Sequence, residues 1–183
     1  MKSSRSIVCT CIAALLQGCM TPGPATAPKV PASLAVPATQ KLSLEARASG
    51  VQIYDCKPKQ DDPTSFEWAL RAPEAELFDA SGRKIGKHYA GPTWEANDGS
   101  KVVGEIKARA DAPDADAIPW LLLTAKSTSG SGVLASTLSI QRVQTAGGKA
   151  PASGCGRAQA QQEVRVPYTA TYYFFADYYP TKT

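Results

Sequence analysis

A period of two residues runs through the C-terminal part of the chain. From residue 164 to residue 175, apolar and aromatic side chains recur at every second position. Successive side chains of a strand point to opposite faces of a sheet, whereas a helix brings together residues three or four apart. The segment therefore predicts a long strand with one buried face. Pro167 has no amide hydrogen to donate, which favours an edge position or a bulge. The residues predicted to share the buried face are Val164, Val166, Tyr168, Ala170, Tyr172 and Phe174.

The same alternation recurs upstream, in short segments separated by turn residues. Residues 79–82 and 97–99 contain the Asp, Asn and Gly that tight turns require. Residues 118–125 form a continuous apolar run, typical of a strand covered on both faces. No convincing amphipathic helix is found. We expect an all-β fold for residues 40–183: a single-domain antiparallel β-sandwich or β-barrel of about 8–10 short strands. The alternating segments begin at Leu42, Val51, Phe66 and Leu138.

The N-terminus predicts export and a lipid anchor. Lys2 and Arg5 precede an apolar run at residues 7–16, which is shorter than the ~20 residues of a permanent membrane span. The following Leu16-Gln17-Gly18-Cys19 resembles the bacterial lipobox. This resemblance implies that residues 1–18 are a lipoprotein signal peptide and that Cys19 is lipidated. An ordinary secretory cleavage after Ala27 is the alternative. Residues 19–39 are rich in Pro and Ala and predict a semi-extended linker.

These features predict a location on the periplasmic side of a bacterial envelope. The lipid on Cys19 would attach the protein to a membrane, and Met20 at the next position favours the outer membrane. Secretion without an anchor is the alternative. The chain has 20 basic and 16 acidic side chains, and removal of the signal leaves 18 basic ones. This excess is too small and dispersed to indicate a nucleic-acid partner.

The five cysteines divide into three groups. Cys9 and Cys11 lie in the predicted signal peptide, and Cys19 is the predicted lipidation site. Cys56 and Cys155 remain, and two such cysteines in an oxidising compartment most often form a disulfide. A catalytic thiol or a metal pair is the weaker alternative. A zinc site would need further ligands, and the chain has a single histidine, so we expect no metal.

Residues 82–100 carry the densest group of chemically versatile side chains. His88, Trp94, Glu95 and Asp98 lie within eleven residues, which would suffice for acid–base chemistry if they converged. We therefore retain His88, Glu95 and Asp98 as weak catalytic candidates. The alternative is structural: His88 bonds to backbone, Trp94 fills the core and Asp98 stabilises a turn. The structural interpretation is favoured, because no partner for the histidine is evident from the sequence.

A second motif, at residues 130–135, matches a G-x-G-x-x-A dinucleotide fingerprint only superficially. The fingerprint must open a helix directly after a strand. Here four residues intervene after the strand, and Leu138-Ser139-Ile140 resumes a strand pattern. A hairpin loop is favoured, and no cofactor is expected. Farther along, Tyr173 and Phe175 could offer a flat binding surface, unless a second sheet or the N-terminal strand covers them.

Several separated motifs resemble the uncharacterised DUF3455 family of secreted bacterial and fungal proteins. The resemblance extends from about Val36 to Phe175. It implies no activity, since none is established for the family, and it fits a pairing of Cys56 with Cys155. The motifs are Gly50-Val51-Gln52-Ile53-Tyr54-Asp55-Cys56, residues 86–95 (GKHYAGPTWE), Ile118-Pro119-Trp120-Leu121-Leu122-Leu123, Ile140-Gln141-Arg142-Val143 with Gly147-Gly148, and Val166-Pro167-Tyr168-Thr169-Ala170.

Two functions are compatible with these residues. The favoured one is a non-enzymatic binding or structural domain whose ligand is a glycan, a small molecule or an envelope protein. Tyr54, His88, Trp94 and Trp120 are its candidate ligand-binding residues. The alternative is a small hydrolase or isomerase in which His88 acts with Glu95 or Asp98.

Overall fold

The computed structural model describes residues 26–178, which form a closed antiparallel barrel. Eight strands follow one another around the barrel in chain order, and the last pairs with the first. The all-β antiparallel prediction is confirmed, and of its two forms the barrel is the one present. None of the helices in residues 26–178 has the length and apolarity needed to cross a membrane. The strands are β1 (Gln40–Pro58), β2 (Phe66–Phe78), β3 (Lys84–Tyr89), β4 (Thr93–Ala96), β5 (Lys101–Ala110), β6 (Trp120–Ser129), β7 (Ser139–Gly147) and β8 (Glu163–Asp177).

Two strands are longer than the sequence analysis expected, since β1 has 19 residues and β2 has 13. The long C-terminal strand was predicted and is β8, with 15 residues. β1 continues through Gly50, which the sequence pattern placed between two strands. A Cβ at Gly50 would lie 2.1 Å from the carbonyl oxygen of Glu74 in β2. The glycine therefore permits a close approach of two backbones and does not end the strand.

Pro167 lies within a strand that is paired on both sides. β8 pairs with β1 along most of its length, and Pro167 lies opposite Val51. On the other side, the ladder with β7 ends at Gly147, which pairs with Tyr168. Pro167 thus lies just beyond the end of β7. Its missing donor costs no ladder bond there, so the position is locally an edge.

The barrel interior is filled by one set of alternating side chains. Its largest fully buried members are Trp94, Tyr172 and Phe174, each at most 1% exposed. Small residues such as Ala46 and Ala75 belong to the same cluster and leave room for these rings. An eight-stranded barrel is just wide enough for its side chains or for one small ligand. How completely the rings fill this interior therefore determines whether a ligand can enter.

The outer face of β7 and β8 is covered by the segment that precedes β1. Val30 and Val36 pack against a second cluster that contains Tyr173 and Phe175. Leu34, in the 3-10 helix Ala32–Leu34, is fully buried. Tyr173 and Phe175 are therefore core residues and offer no exposed flat surface. This part of the predicted 19–39 linker lies against the barrel wall, whereas Cys19 and residues 1–18 lie outside the described residues.

A disulfide joins Cys56, near the end of β1, to Cys155 in the β7–β8 connection, as predicted. The Cα atoms are 5.5 Å apart, and the two residues are separated by 99 positions. The indole Nε1 of Trp68 also donates to the carbonyl oxygen of Ser153, at 3.0 Å. Because the disulfide closes a loop of about 100 residues, it restricts the unfolded chain and stabilises the fold by roughly 4–5 kcal/mol. Together with the Trp68 bond it attaches the β7–β8 connection, which contains the 3-10 helix Arg157–Gln159, to β1 and β2.

Candidate functional site

The barrel wall has a gap above the short β3–β4 hairpin. β3 pairs with β2 only over residues 75–78, and β4 pairs with β5 only over residues 101–103. The hairpin turns at Gly91, whose φ of +102° is a conformation that glycine adopts without strain. Residues 70–73 of β2 and 106–110 of β5 consequently have no described strand between them. Leu70 and Ile106 on either side of the gap are 56% and 40% exposed.

A cavity of about 170 Å³ lies inside the barrel behind this gap. Leu70, Pro92 and Ile106 form part of its rim, and Leu121 and Leu123 form part of its apolar wall. An apolar cavity of ~150 Å³ is large enough to hold a benzene ring. The space therefore suits a ligand of about one ring. Its remaining interior lining includes His88, Trp94 and Tyr172, together with two polar side chains, Gln52 and Arg142.

His88 points into the barrel and is only 2% exposed. Its Nδ1 lies 2.8 Å from the carbonyl oxygen of Thr93. Because a carbonyl only accepts hydrogen bonds, Nδ1 carries the proton and Nε2 holds a lone pair. Burial lowers the pKa of His88 to about 3; the bond to Thr93 opposes this shift, and the charge of Arg142 adds to it. His88 is thus a neutral acceptor at physiological pH.

Trp94 and Tyr172 form an aromatic group around this histidine. The Trp94 ring stacks on His88, with centroids 4.4 Å apart and planes inclined by 12°. Tyr172 meets both rings edge-on, at 5.1 Å from His88 and 5.2 Å from Trp94. His88 and Trp94 are also opposite each other in the β3–β4 ladder, which fixes their stacking. Of the predicted ligand-binding residues, these two are brought together at the cavity.

Arg142 brings a positive charge to the same cavity. It lies opposite Tyr172 in the β7–β8 ladder, and its Nε and one terminal nitrogen donate to the carbonyl oxygen of Pro119, at 3.2 and 2.8 Å. No ion pair within residues 26–178 includes Arg142. A guanidinium has five N–H donors, so these two bonds leave part of its capacity unused.

Buried donors without partners surround this charge. Gln52 Nε2, Trp94 Nε1 and the hydroxyl of Tyr172 are inaccessible to solvent and form no hydrogen bond of regular geometry. The hydroxyl of Tyr168 shares this condition. Burial raises the pKa of both tyrosines, and Arg142 opposes that shift. Both hydroxyls therefore keep their protons at neutral pH. Unpaired buried polar groups are rare in native proteins, and each requires a specific explanation.

The structure separates Glu95 from His88. Glu95 lies between the inward-facing Trp94 and Ala96 of β4, and therefore points outward. It accepts a hydrogen bond from the Tyr89 hydroxyl at 2.7 Å and lies 3.2 Å from the Lys101 amine. The Tyr89 bond, with help from Lys101, lowers the pKa of Glu95. Glu95 is thus a charged carboxylate on the outer surface.

Asp98 is likewise occupied elsewhere, in the β4–β5 turn. Its carboxylate accepts bonds from the backbone and hydroxyl of Ser100, at 2.9 and 2.6 Å. It also accepts from the backbone N–H of Val133, at 2.8 Å. These bonds, the Ser100 hydroxyl foremost, lower the pKa of Asp98. The glycine-rich 130–135 segment is therefore a loop attached to a turn. His88, Glu95 and Asp98 are not brought together.

The two other predicted ligand-binding residues lie away from the cavity. The Tyr54 hydroxyl donates to the carbonyl oxygen of Gly148 at 2.6 Å, so its polar end is already used inside the fold. Trp120 packs on the outer cluster with Tyr173 and Phe175. Within residues 26–178, no three His, Cys, Asp or Glu side chains are grouped in a way that would hold a metal ion.

Sequence reasoning missed Gln52 and Arg142 as site residues. A signal for Arg142 was present: it is in phase with Leu138 and Ile140, so alternation places a cation on an apolar face. Gln52 had a weaker signal. It is in phase with Ala46 and Ala48 on the inner face of β1, but its apolar neighbours Val51 and Ile53 favour the opposite face as the buried one.

Comparison with known proteins identifies the family. Residues 37–176 match the family model described as a protein of unknown function, DUF3455. No curated protein and no solved structure matches the chain. The match includes the strands that carry His88, Trp94, Arg142 and Tyr172, so the cavity lies within the matched region. The chain therefore belongs to the DUF3455 family.

Proposed function

We propose that this protein is a non-enzymatic binding domain that takes a small, largely apolar molecule into its barrel. The observation that supports this most directly is the cavity of about 170 Å³ behind a gap in the wall. Ligand pockets typically combine apolar walls with a few polar groups that fix orientation. Here Leu121 and Leu123 supply apolar wall, and Gln52 supplies an unpartnered donor.

The size and position of the cavity favour a small molecule over the other ligands considered. A folded partner protein cannot enter a space of this volume, and a glycan would find few polar groups along its leucine-lined wall. The aromatic faces of Trp94 and Tyr172 suit contact with a flat or compact apolar group. A hydrolase or isomerase using His88 with Glu95 or Asp98 is not favoured, because both carboxylates are bonded elsewhere.

We further propose that the domain acts at the bacterial envelope on the periplasmic side. The lipobox-like Leu16-Gln17-Gly18-Cys19 supports anchoring through Cys19, and a disulfide is typical of an oxidising compartment. The outer membrane is the proposed site of attachment. Labelling of cells with a radioactive fatty acid tests this: wild-type protein should incorporate label, and Cys19→Ala should not. Label in the variant, or none in the wild type, would contradict the anchor.

Ligand entry through the gap is tested by blocking its rim. Leu70→Trp places a larger side chain beside the cavity at a position that is 56% exposed, so folding should tolerate it. Val133→Trp is the matched control, since Val133 is 55% exposed and lies outside the cavity. NMR titration with the neutral probe benzyl alcohol and with benzoate would follow the Trp94 indole resonance.

We expect saturable binding of at least one probe to the wild type and to Val133→Trp. Leu70→Trp should weaken that binding about tenfold, equivalent to ~1.4 kcal/mol. If neither probe binds the wild type, the proposed function is wrong. If Leu70→Trp binds as the wild type does, the gap is not the route into the cavity.

A further inference from the structure

The barrel interior holds a cation whose counter-ion the described residues do not supply. Arg142 faces the cavity, and the groups it donates to, the carbonyl oxygen of Pro119 and the adjacent Tyr172 hydroxyl, are both neutral. Arg71, at the cavity rim, provides the contrast: its guanidinium lies 3.2 Å from Asp55 and 2.5 Å from Glu163. The rim arginine is thus doubly paired, whereas the interior arginine is not paired at all among residues 26–178.

The groups beside Arg142 are also mainly donors. Gln52 is 2% exposed and Tyr172 is 1% exposed, and both present a polar hydrogen that has no acceptor. Leaving a buried donor unpaired costs the free energy of its lost hydration. An acceptor placed in the cavity would recover this loss. A carboxylate is acceptor-only when ionised and matches the fork of a guanidinium with two parallel bonds.

The remainder of the cavity restricts what the carboxylate can be attached to. Leu121 and Leu123 form an apolar wall, and Trp94 adds an aromatic surface. The volume of about 170 Å³ suits one ring or a chain of similar size. A dianion such as phosphate is disfavoured, because Arg142 is the one cation inside the described part of the barrel and leucine side chains would desolvate the second charge.

We propose that the ligand is a small monocarboxylate with a compact apolar body, and that Arg142 binds its carboxylate. This inference rests on the proposed binding function and specifies the substrate class of the same cavity. In the bound arrangement, the apolar body lies between Trp94 and the leucine wall. Gln52 and Tyr172 donate to the carboxylate oxygens that Arg142 leaves free.

The test compares benzoate with benzamide, which has nearly the same shape and no charge. Both would be titrated at pH 7 by calorimetry into the wild type, Arg142→Gln and Arg47→Gln. Arg47 is the control because its side chain is 60% exposed on the outer face and its replacement removes the same charge. The fold of each variant would be compared by NMR before titration.

We expect the wild type and Arg47→Gln to bind benzoate about tenfold or more tightly than benzamide, since hydrogen bonds to charged groups are the stronger ones. Arg142→Gln should lose this preference and bind both compounds equally weakly. If benzamide binds the wild type as tightly as benzoate, the carboxylate inference is wrong and the binding function stands. If neither compound binds, the carboxylate inference is wrong, and the benzyl alcohol titration decides whether the binding function stands.

A second measurement keeps the proposal testable if Arg142→Gln does not fold. In the wild type, the preference for benzoate over benzamide should shrink as the pH falls through the range in which benzoate becomes protonated. Rising salt should weaken benzoate binding and leave benzamide binding unchanged, because only the former is electrostatic. A preference that is independent of both pH and salt would overturn the proposal.

Discussion

The inner and outer faces of the β7–β8 wall are equally buried for different reasons. Tyr172 and Phe174 on the inner face are 1% and 0% exposed, and Tyr173 and Phe175 on the outer face are 6% and 2% exposed. Closure of the barrel covers the inner rings, whereas the segment before β1 covers the outer ones. Both faces contain buried polar atoms without a hydrogen-bond partner. On the inner face alone, among the described residues, such atoms lie beside a cavity and the guanidinium of Arg142. Burial alone therefore does not distinguish structure from function here.

The largest expected effect distinguishes the two tryptophans of these faces. Trp94→Ala should lower the free energy of unfolding by about 3–5 kcal/mol, because it empties a fully buried site in the inner cluster. Trp120→Ala, on the partly exposed outer side, should lower it by about 1–2 kcal/mol, the lower end for a large side chain with incomplete burial. Urea unfolding followed by circular dichroism measures both values. Equal losses would show that the two faces contribute alike.

The next effect tests whether the outer cover is structural only. Leu34→Ala should lower the free energy of unfolding by about 2–4 kcal/mol, since Leu34 is completely buried where the 3-10 helix Ala32–Leu34 contacts β5 and β6. Benzoate binding should not change, because Leu34 lies outside the cavity. Val133→Ala, at an exposed position, is the control and should change stability by less than about 0.5 kcal/mol. A loss of benzoate affinity in Leu34→Ala would link the two faces.

A third effect is specific to the inner face and depends on pH. His88 has a pKa of about 3 in the folded protein, and an ordinary value of 6.5 once unfolded. Below pH 6.5 the unfolded chain binds a proton that the folded barrel does not, so stability falls as the pH falls from 6.5 towards 3. Moving from pH 7 to pH 5 should cost about 2 kcal/mol.

His88→Asn isolates this contribution. Asparagine keeps a donor for the Thr93 carbonyl and does not titrate. The groups that face His88 are Arg142, Trp94 and Tyr172, none of which changes charge between pH 7 and 5. The difference in unfolding free energy between pH 7 and 5 should therefore be about 2 kcal/mol smaller in His88→Asn. The same pH dependence in both proteins would mean that His88 takes up its proton within the fold.

Alternation in the sequence was sufficient to predict the strands. It did not predict which side chains contact one another across neighbouring strands. Neighbouring residues of a strand point to opposite faces, so the closeness of Glu95 to His88 in sequence did not indicate contact. Register places Glu95 opposite Lys87. For Trp120, the continuous apolar run at residues 118–125 removed the alternation that would have assigned it to the outer face. The inward position of Leu121 settles this only once the sheet is known.

The disulfide could be predicted from the sequence, whereas the cavity could not. The pairing of Cys56 with Cys155 followed from the number of cysteines left after export, which is a property of composition. The cavity depends on the relative lengths of strands: β3 and β4 stop at Tyr89 and Thr93, while β2 and β5 continue beyond them. Such differences between distant strands are a property of pairing register, which no local pattern specifies.

The smallest effect concerns Gly104, which lets β5 pass beneath the inner rings. A Cβ built there would lie 2.9 Å from Cζ3 of Trp94 and 3.1 Å from Cδ2 of Leu123. Gly104→Ala should therefore lower the free energy of unfolding by about 1–2 kcal/mol through overpacking.

Trp94→Phe removes the ring atoms that the new methyl group would meet. In that background the cost of Gly104→Ala should fall by about half or more, because only the Leu123 contact remains, and a double-mutant cycle measures the difference. Additive losses would mean that the Trp94 ring moves aside freely. The stacking of Trp94 on His88 would then not hold the cavity in a fixed shape.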